Sequence, residues 1–252
     1  MRRVEKSEIS YLQFEGLAEQ SALRHGISLR RNGQINFSSR DPEGSRRNRE
    51  AFCQVLGLPA QHLSRCRQVH SSRVAVVTQP AHLALDTDAL VTQVRGIPLM
   101  LLGADCPLLL AYDPVRAVLG LCHAGWRGTV QKIARQMIDV MTVQCGSRLE
   151  DLHAGIGPGI CGRCYEVGPE VAEQAQKNLH QTHHYLHLRN SDSQPKWLFD
   201  LAAANRQQLL EAGLPPEQIE TSGCCTFEQP DFPSFRREGP QAGRWALLAG
   251  MI

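Results

Sequence analysis

Residues 104–128 read "ADCPLLLAYDPVRAVLGLCHAGWRG", two apolar runs around a short polar break. "LLLAY" (108–112) and "AVLGLC" (117–122) have the length and composition of buried strands. "DPVR" (113–116) carries Asp at the first and Pro at the second position of a β-turn. The stretch therefore predicts a β-hairpin. Pairing Asp113 with Arg116 places Cys106 directly opposite His123, and directly opposed residues have Cβ atoms roughly 4.5–5.5 Å apart. A thiolate and an imidazole at that separation can meet on one metal at about 2.3 and 2.0 Å. His70, in "CRQVHSSRVAVV" at the mouth of another predicted strand, is the best-placed third ligand. A His/Cys/His set leaves one tetrahedral position open, the pattern of a catalytic zinc site. Spacing leaves two other readings of the pair open: core packing of a small thiol beside a histidine, and a metal-free nucleophile, Cys106, activated by His123.

The hairpin runs into "HAGWRG" (123–128). Its two glycines let backbone approach a ligand closely, the helix expected after it offers free N–H groups, and Arg127 can grip phosphate bidentately. A solvated surface role for Arg127 is the alternative. In that helix Val130, Ile133, Ala134, Met137, Ile138 and Met141 repeat at helical spacing, with Thr129 placed as N-cap.

Further strands are expected at 73–77, 88–92, 97–102 and 152–156, and further helices at 48–57, 168–179 and 198–213, the last closed by Gly213 and Pro215. "SSRDPEGSRRNRE" (38–50) reads as a polar, mobile loop. Strands and helices mix without βαβ alternation, which predicts an α+β fold. No repeat or long linker divides the chain, so one domain is expected over 1–252.

The 252 residues, 42% hydrophobic, can bury a sizeable core. A net charge of +2 and a pI near 8.1 give no reason to expect nucleic acid or an anionic membrane as partner. The basic start "MRRVEKSEIS" leads into no apolar segment and no run approaches a membrane span, so a cytoplasmic location is expected. Most of the nine cysteines sit in apolar segments, which argues against a disulfide framework. Cys161 and Cys164 form a C-x-x-C without a second pair at ribbon spacing, and read as loop thiols rather than a zinc knuckle.

"RQVHSSRVAVV", "DTDALVT", "GADCPLLLAYDP", "LGLCHAGWRG", "GIGPGICGRCYEV", "SGCCTF" and "SFRREGPQAGRWALL" occur in this order. Together they resemble the laccase-domain family, also called polyphenol oxidase, whose members are understood as zinc-dependent purine nucleoside phosphorylases. The resemblance runs from about residue 20 to the C-terminus. It implies two mixed β-sheets flanked by helices, and a zinc held by His70, Cys106 and His123. It also implies purine nucleosides and phosphate as small-molecule partners: phosphorolysis of adenosine, inosine, guanosine and methylthioadenosine, with adenosine deaminase as a second activity. Phosphorolysis needs a positive site for phosphate near C1′, and deamination a metal-activated water near C6.

Within that framework Arg127 is the first candidate for phosphate, with Arg30, Arg236 and Arg237 able to complete a phosphate or nucleoside site. Asp88 and Asp105 flank the metal segments and could orient a ligand histidine or move a proton; surface pairing or turn roles are the alternatives. The chain departs from the family pattern in "LRRNGQINF", which has a single Gly and Asn36-Phe37, and at Ser71 after the motif histidine. His180, His183, His184 and His187 would share a face if helical, and are read as a solvated helix end. A cysteine amidase acting on an amino-acid-bearing cell-wall precursor, with Cys106 as nucleophile and His123 as base, is the competing enzyme. Copper is the alternative metal, but polyphenol oxidation by four coppers needs clustered His-x-His ligands, which this sequence lacks.

Overall fold

The computed structural model describes residues 1–30, 37, 41–189 and 195–252. Two mixed sheets pack face to face. The first contains β1 (Arg2–Lys6), β2 (Ile9–Gln13), β3 (Leu23–Ser28), β4 (Ser64–Cys66), β6 (Leu83–Ala84), β8 (Leu99–Gly103) and β16 (Trp245–Met251), in the order β1-β2-β3-β16-β8-β4-β6. The second contains β5 (Val74–Val76), β7 (Ala89–Thr92), β9 (Leu108–Asp113), β10 (Val118–His123), β11 (His153–Ile156) and β15 (Ile219–Thr221), in the order β15-β11-β9-β10-β7-β5.

Alternation along the strands explains the layers. Leu108, Leu110 and Tyr112 of β9 join Leu119 and Leu121 of β10, and meet Leu99, Leu101, Trp245 and Leu247 from the opposing sheet. Residues of opposite parity face the helices: Leu109, Ala111, Val118 and Cys122 pack under α4 (Ile133–Val143) and α6 (Leu201–Ala212), while Met100, Ala246 and Leu248 pack under α2 (Pro42–Leu56), which follows the four-residue α1 (Glu15–Ala18). Strands covered on both faces read as continuous apolar runs, and so the central strands are conspicuous in the sequence. The α+β class with two mixed sheets flanked by helices is thus present. A third, antiparallel sheet adds β12 (Glu166–Val167), β14 (Lys196–Phe199) and β13 (Leu186–Arg189), packed with α5 (Pro169–Asn178).

Three local expectations are corrected. The β9–β10 hairpin forms two residues out of the expected register: Asp113 pairs with Val118, and His123 with Leu108. The cause lies in the loop, where Asp113 Oδ1 accepts the Val115 and Arg116 N–H groups at 2.8 and 2.9 Å and Ala117 turns left-handed at φ 53°. Four residues, not two, separate the strands, so Cys106 lies beyond the ladder.

The helix after the hairpin is broken. α3 (Trp126–Val130) is capped at Gly125, Lys132 takes φ 62°, and α4 starts afresh. Thr129 is therefore inside α3 rather than an N-cap; its hydroxyl donates to Ala124 O and accepts from Asn205 Nδ2. Ile133, Ala134, Met137, Ile138 and Met141 are nevertheless the buried face of α4.

Residues 42–50 belong to α2, not to a mobile loop: Asp41 accepts the Gly44 N–H at 2.8 Å and Pro42 opens the helix. Residues 38–40 and the family departures at 31–36 lie outside the described residues. Among the described residues, no helix is long and apolar enough to cross a membrane.

Candidate active site

Strand register delivers the site. The antiparallel β10–β7 pair sets Cys122 opposite Ala89, so one step further His123 meets Asp88, and the His123 N–H donates to Asp88 O at 2.8 Å. The parallel β5–β7 pair sets Val74 beside Ala89, which brings the chain just before β5 around the same aspartate. Asp88 is fully buried. Its Oδ1 accepts the His70 N–H at 3.0 Å, and its Oδ2 accepts the Val69 and Ser71 N–H groups at 3.1 and 2.7 Å and the Ser71 hydroxyl at 2.8 Å. One carboxylate thereby folds the 69–71 turn, in which His70 takes φ 60°.

Asp88 Oδ1 also lies 2.9 Å from His123 Nδ1. With Nδ1–H donating, His123 presents Nε2, the tautomer a metal ligand requires. Burial opposes ionisation of Asp88, but the His123 contact and the Ser71 donors hold its carboxyl at about 2. Cys106, in the β8–β9 turn, reaches the same point: its Sγ lies 4.0 Å from His70 Nε2, and one ligand atom from each of His70, Cys106 and His123 lies within 4.8 Å of the others. Burial works against the Cys106 thiolate, yet His123 and His70 bring it down to about 6. Gly125 closes the site from below; a Cβ there would lie 2.8 Å from His70 Cδ2 and 3.0 Å from Cys106 Sγ.

The three residues line a cleft of about 970 Å³. Arg127 is on its wall, stacked over the Trp126 ring at 4.3 Å, with no ion pair among the described residues. Arg236 also lines it, over the Tyr165 ring at 5.1 Å, with Nη2 donating to Glu166 O at 2.9 Å. Asp105 lines it too, at φ 84°. Its Oδ1 accepts the Thr226 hydroxyl and its Oδ2 the Arg236 N–H, both at 2.6 Å, so it fixes the turn that carries Cys106. Arg30 and Arg237 are not brought into the cleft. Arg30 Nη1 is 2.8 Å from both oxygens of Glu238, and Arg237 donates to the Thr226, Phe227 and Phe232 carbonyls. The histidines at 180–187 fall across a 3₁₀ turn (Thr182–His184) and β13, so they share no helical face.

Sequence reasoning missed Arg49 and Arg65, which face the cleft from α2 and β4 without ion-pair partners among the described residues. Burial, then the charge of Arg65, depresses Arg49. Two adjacent unpaired cations prefer an anion between them. Arg49 was hidden at the start of the expected helix 48–57, where it overlaps the polar stretch 38–50, and Arg65 because β4 is only three residues long and was not read as a strand. Tyr165, Phe235 and Trp126 supply aromatic surface beside these cations.

Fold and site together define a class: an α+β protein built on two large packed sheets, with a His/Cys/His group in an arginine- and aromatic-lined cleft. The chain belongs to the family described as multi-copper polyphenol oxidoreductase laccase, which matches residues 21–252. It is 39% identical over 227 residues to a purine nucleoside phosphorylase of Deinococcus radiodurans, covering 88% of this chain and 85% of that protein. It is 38% identical over 200 residues to adenosine deaminase RL5 of an unknown prokaryotic organism, covering 75% of each. The crystal structure of the hypothetical protein YfiH of Bacillus licheniformis matches with a TM-score of 0.88 at 28% identity, covering 96% of both chains. The resemblance read from the seven sequence segments is borne out.

Proposed function

We propose that this chain is a purine nucleoside phosphorylase that uses zinc held by His70, Cys106 and His123, with adenosine deamination as a second activity, carried by one domain over 1–252. The observation that carries the reading is the position of that group inside the basic, aromatic cleft. The relatives named as a purine nucleoside phosphorylase and an adenosine deaminase support both activities.

The donor set suits zinc: two imidazoles and one thiol of low pKa, with His123 oriented by a buried carboxylate. Zinc bound there supplies Lewis-acid charge and an open coordination position. The remaining chemistry belongs to the chain. In phosphorolysis a phosphate oxygen bonds to C1′ while the C1′–N9 bond breaks, and the purine leaves with the bonding pair and takes up a proton. Arg127, Arg49 and Arg65 are the groups free to hold phosphate, since α3 is too short to contribute much helix dipole. Trp126, Tyr165 and Phe235 offer faces for the purine. Burial keeps the Tyr165 hydroxyl protonated, hence a donor at the cleft wall. The anchoring of Asp105 at both oxygens makes it a positioning residue rather than a proton carrier.

A second reading has one observation in its favour: the low thiol pKa of Cys106 beside His123 also suits a cysteine nucleophile. Zinc-loaded protein incubated with adenosine and inosine, with and without phosphate, separates the two. Phosphate-dependent release of adenine and hypoxanthine with ribose 1-phosphate, lost on chelation and restored by zinc, is the expected result. No turnover of any nucleoside by folded, zinc-replete protein would overturn it, and amide hydrolysis surviving chelation but lost on thiol alkylation would install the hydrolase.

A further inference from the structure

Cys161 and Cys164 lie in the turn between β11 and β12, and Cys225 and Glu228 in the segment after β15. Each pair has the same three-residue spacing. The two segments are sewn together by a bridge between Gly159 and Cys225, by the Thr226 N–H on Gly159 O at 3.0 Å, and by the Cys161 N–H on Cys225 Sγ at 3.4 Å. The three sulfurs and a Glu228 oxygen all lie within 4.8 Å of one another. All three cysteines are free thiols. The sequence showed no second C-x-x-C because the second pair ends in a carboxylate.

We propose that Cys161, Cys164, Cys225 and Glu228 form a second metal site, a closed four-ligand zinc site that clamps these two segments together. A tetrahedral zinc with Zn–S of about 2.3 Å sets its sulfurs about 3.8 Å apart, so the group needs to contract by only about 1 Å. The ligand atoms are already tied to one another and to the backbone. Cys225 Sγ accepts the Cys161 N–H at 3.4 Å, and the Cys164 thiol donates to Glu228 Oε1 at 3.4 Å. Such a backbone donor orients a thiolate and lowers its charge density, as outer hydrogen bonds do around metal ligands.

Charge points the same way. Burial opposes ionisation of all three thiols; backbone donors overcome it only at Cys225, while Cys161 and Cys164 remain raised. Arg163, 3.2 Å from Glu228, offsets a single charge. Three thiolates and a carboxylate coexist once a divalent cation is added, and a thiolate-rich set selects zinc over magnesium, calcium or manganese. Apolar packing does not account for the group, because Cys161 and Cys164 are only half-buried and Glu228 is exposed.

The location gives the ion a task. Tyr165 follows Cys164 and lines the cleft. Thr226 follows Cys225 and donates to Asp105, the residue before Cys106. An ion here braces the cleft wall from behind without touching substrate.

The test is metal content per chain in protein made in zinc-supplemented medium and purified without chelator, together with cobalt substitution. Two zinc ions are expected in the wild type, and one each in Cys106→Ala and in the double variant Cys161→Ser/Cys164→Ser. Cobalt-loaded Cys106→Ala should show intense thiolate-to-cobalt charge transfer, which only the three-cysteine site can then supply. Glu228→Gln, at an exposed position, keeps the fold and should lower zinc retention at this site about tenfold or more. One zinc in the wild type and none in Cys106→Ala would overturn the proposal, as would Cys106→Ala without the cobalt band. A disulfide among the three cysteines in freshly isolated protein, found by intact mass, would replace the metal clamp with a redox one. One zinc kept in Cys106→Ala and lost in the double variant would sustain this site while removing the catalytic one.

Discussion

His123 and His25 are both buried histidines on central strands, one in each large sheet, yet their surroundings push them in opposite directions. Burial disfavours the imidazolium at both positions. At His123 the charge of Cys106 and the hydrogen bond to Asp88 outweigh burial and raise its pKa. Among the described residues His25 has no acidic partner: its Nε2 accepts the Phe14 N–H at 3.0 Å, its Nδ1 meets no partner there, and the ring stacks on Phe14. Burial and then Arg2 lower it to about 4. The first histidine is oriented by Asp88 and lines the cleft, where a bound metal would take the place of its Nε2 proton; the second is a neutral piece of core that satisfies one backbone donor. A strand histidine becomes a ligand through the carboxylate behind it, not through burial.

The largest expected effect tests the functional half of that contrast. His123→Ala or Cys106→Ala should lower phosphate-dependent base release by about 10³-fold, while circular dichroism and the melting temperature show a folded protein. His25→Gln should leave base release within about threefold of wild type, because the amide oxygen can still accept the Phe14 N–H. Equal activity losses in the two variants, measured chromatographically, would erase the distinction.

The next effect tests the structural half. An imidazole with folded pKa about 4 and unfolded pKa about 6.5 takes up its proton first in the unfolded chain. Its contribution is therefore fully present above pH 6.5 and is lost as pH falls toward 4, by about 3 kcal/mol. Urea unfolding at pH 7 and pH 4 should show wild type losing about that much more stability than His25→Gln. Parallel losses would show that His25 is not the group being titrated.

These two histidines also mark what the sequence could and could not reveal. His123 was legible because it ends an unbroken apolar run and precedes a Gly-rich turn. His25 sits in "LRHGIS", where Arg, His and Gly break the hydrophobic pattern, so β3 went unread although it is a central strand. β1 and β2 alternate weakly because they lie at the edge of the first sheet and face solvent. The hairpin register was read two residues short because Asp113 caps its own turn and Ala117 takes a left-handed conformation, neither of which composition announces. The Cys106–His123 proximity was still found, since the turn carrying Cys106 folds back over the end of the ladder. Asp88 was recognised as a flanking carboxylate; its hold on the 69–71 turn needed the β5–β7 and β10–β7 registers together.

Asp88→Asn removes the feature that separates the two histidines. An amide can keep the His123 contact but not the charge, and Ser71 and the 69–71 N–H groups lose a full acceptor. Zinc affinity should fall about 10- to 100-fold, measured by competition with a chromophoric chelator. Unchanged affinity would mean that His123 is oriented by its strand alone.

Gly125→Ala makes the smallest and most local change. The backbone at Gly125, φ −63° and ψ 167°, is open to any residue, so alanine there introduces no backbone strain. What it introduces is a methyl group 2.8 Å from His70 Cδ2 and 3.0 Å from Cys106 Sγ, closer than either atom can tolerate. His70 is exposed on a turn and can yield, whereas Cys106 is held by the anchored Asp105. The methyl should therefore displace His70, costing zinc affinity roughly tenfold or less, with thermal stability shifted by about 1 kcal/mol at most. If the same substitution lowers the melting temperature sharply but spares zinc binding, the tight approach serves packing of α3. The His70 ring is then free to reach its partners from a different position.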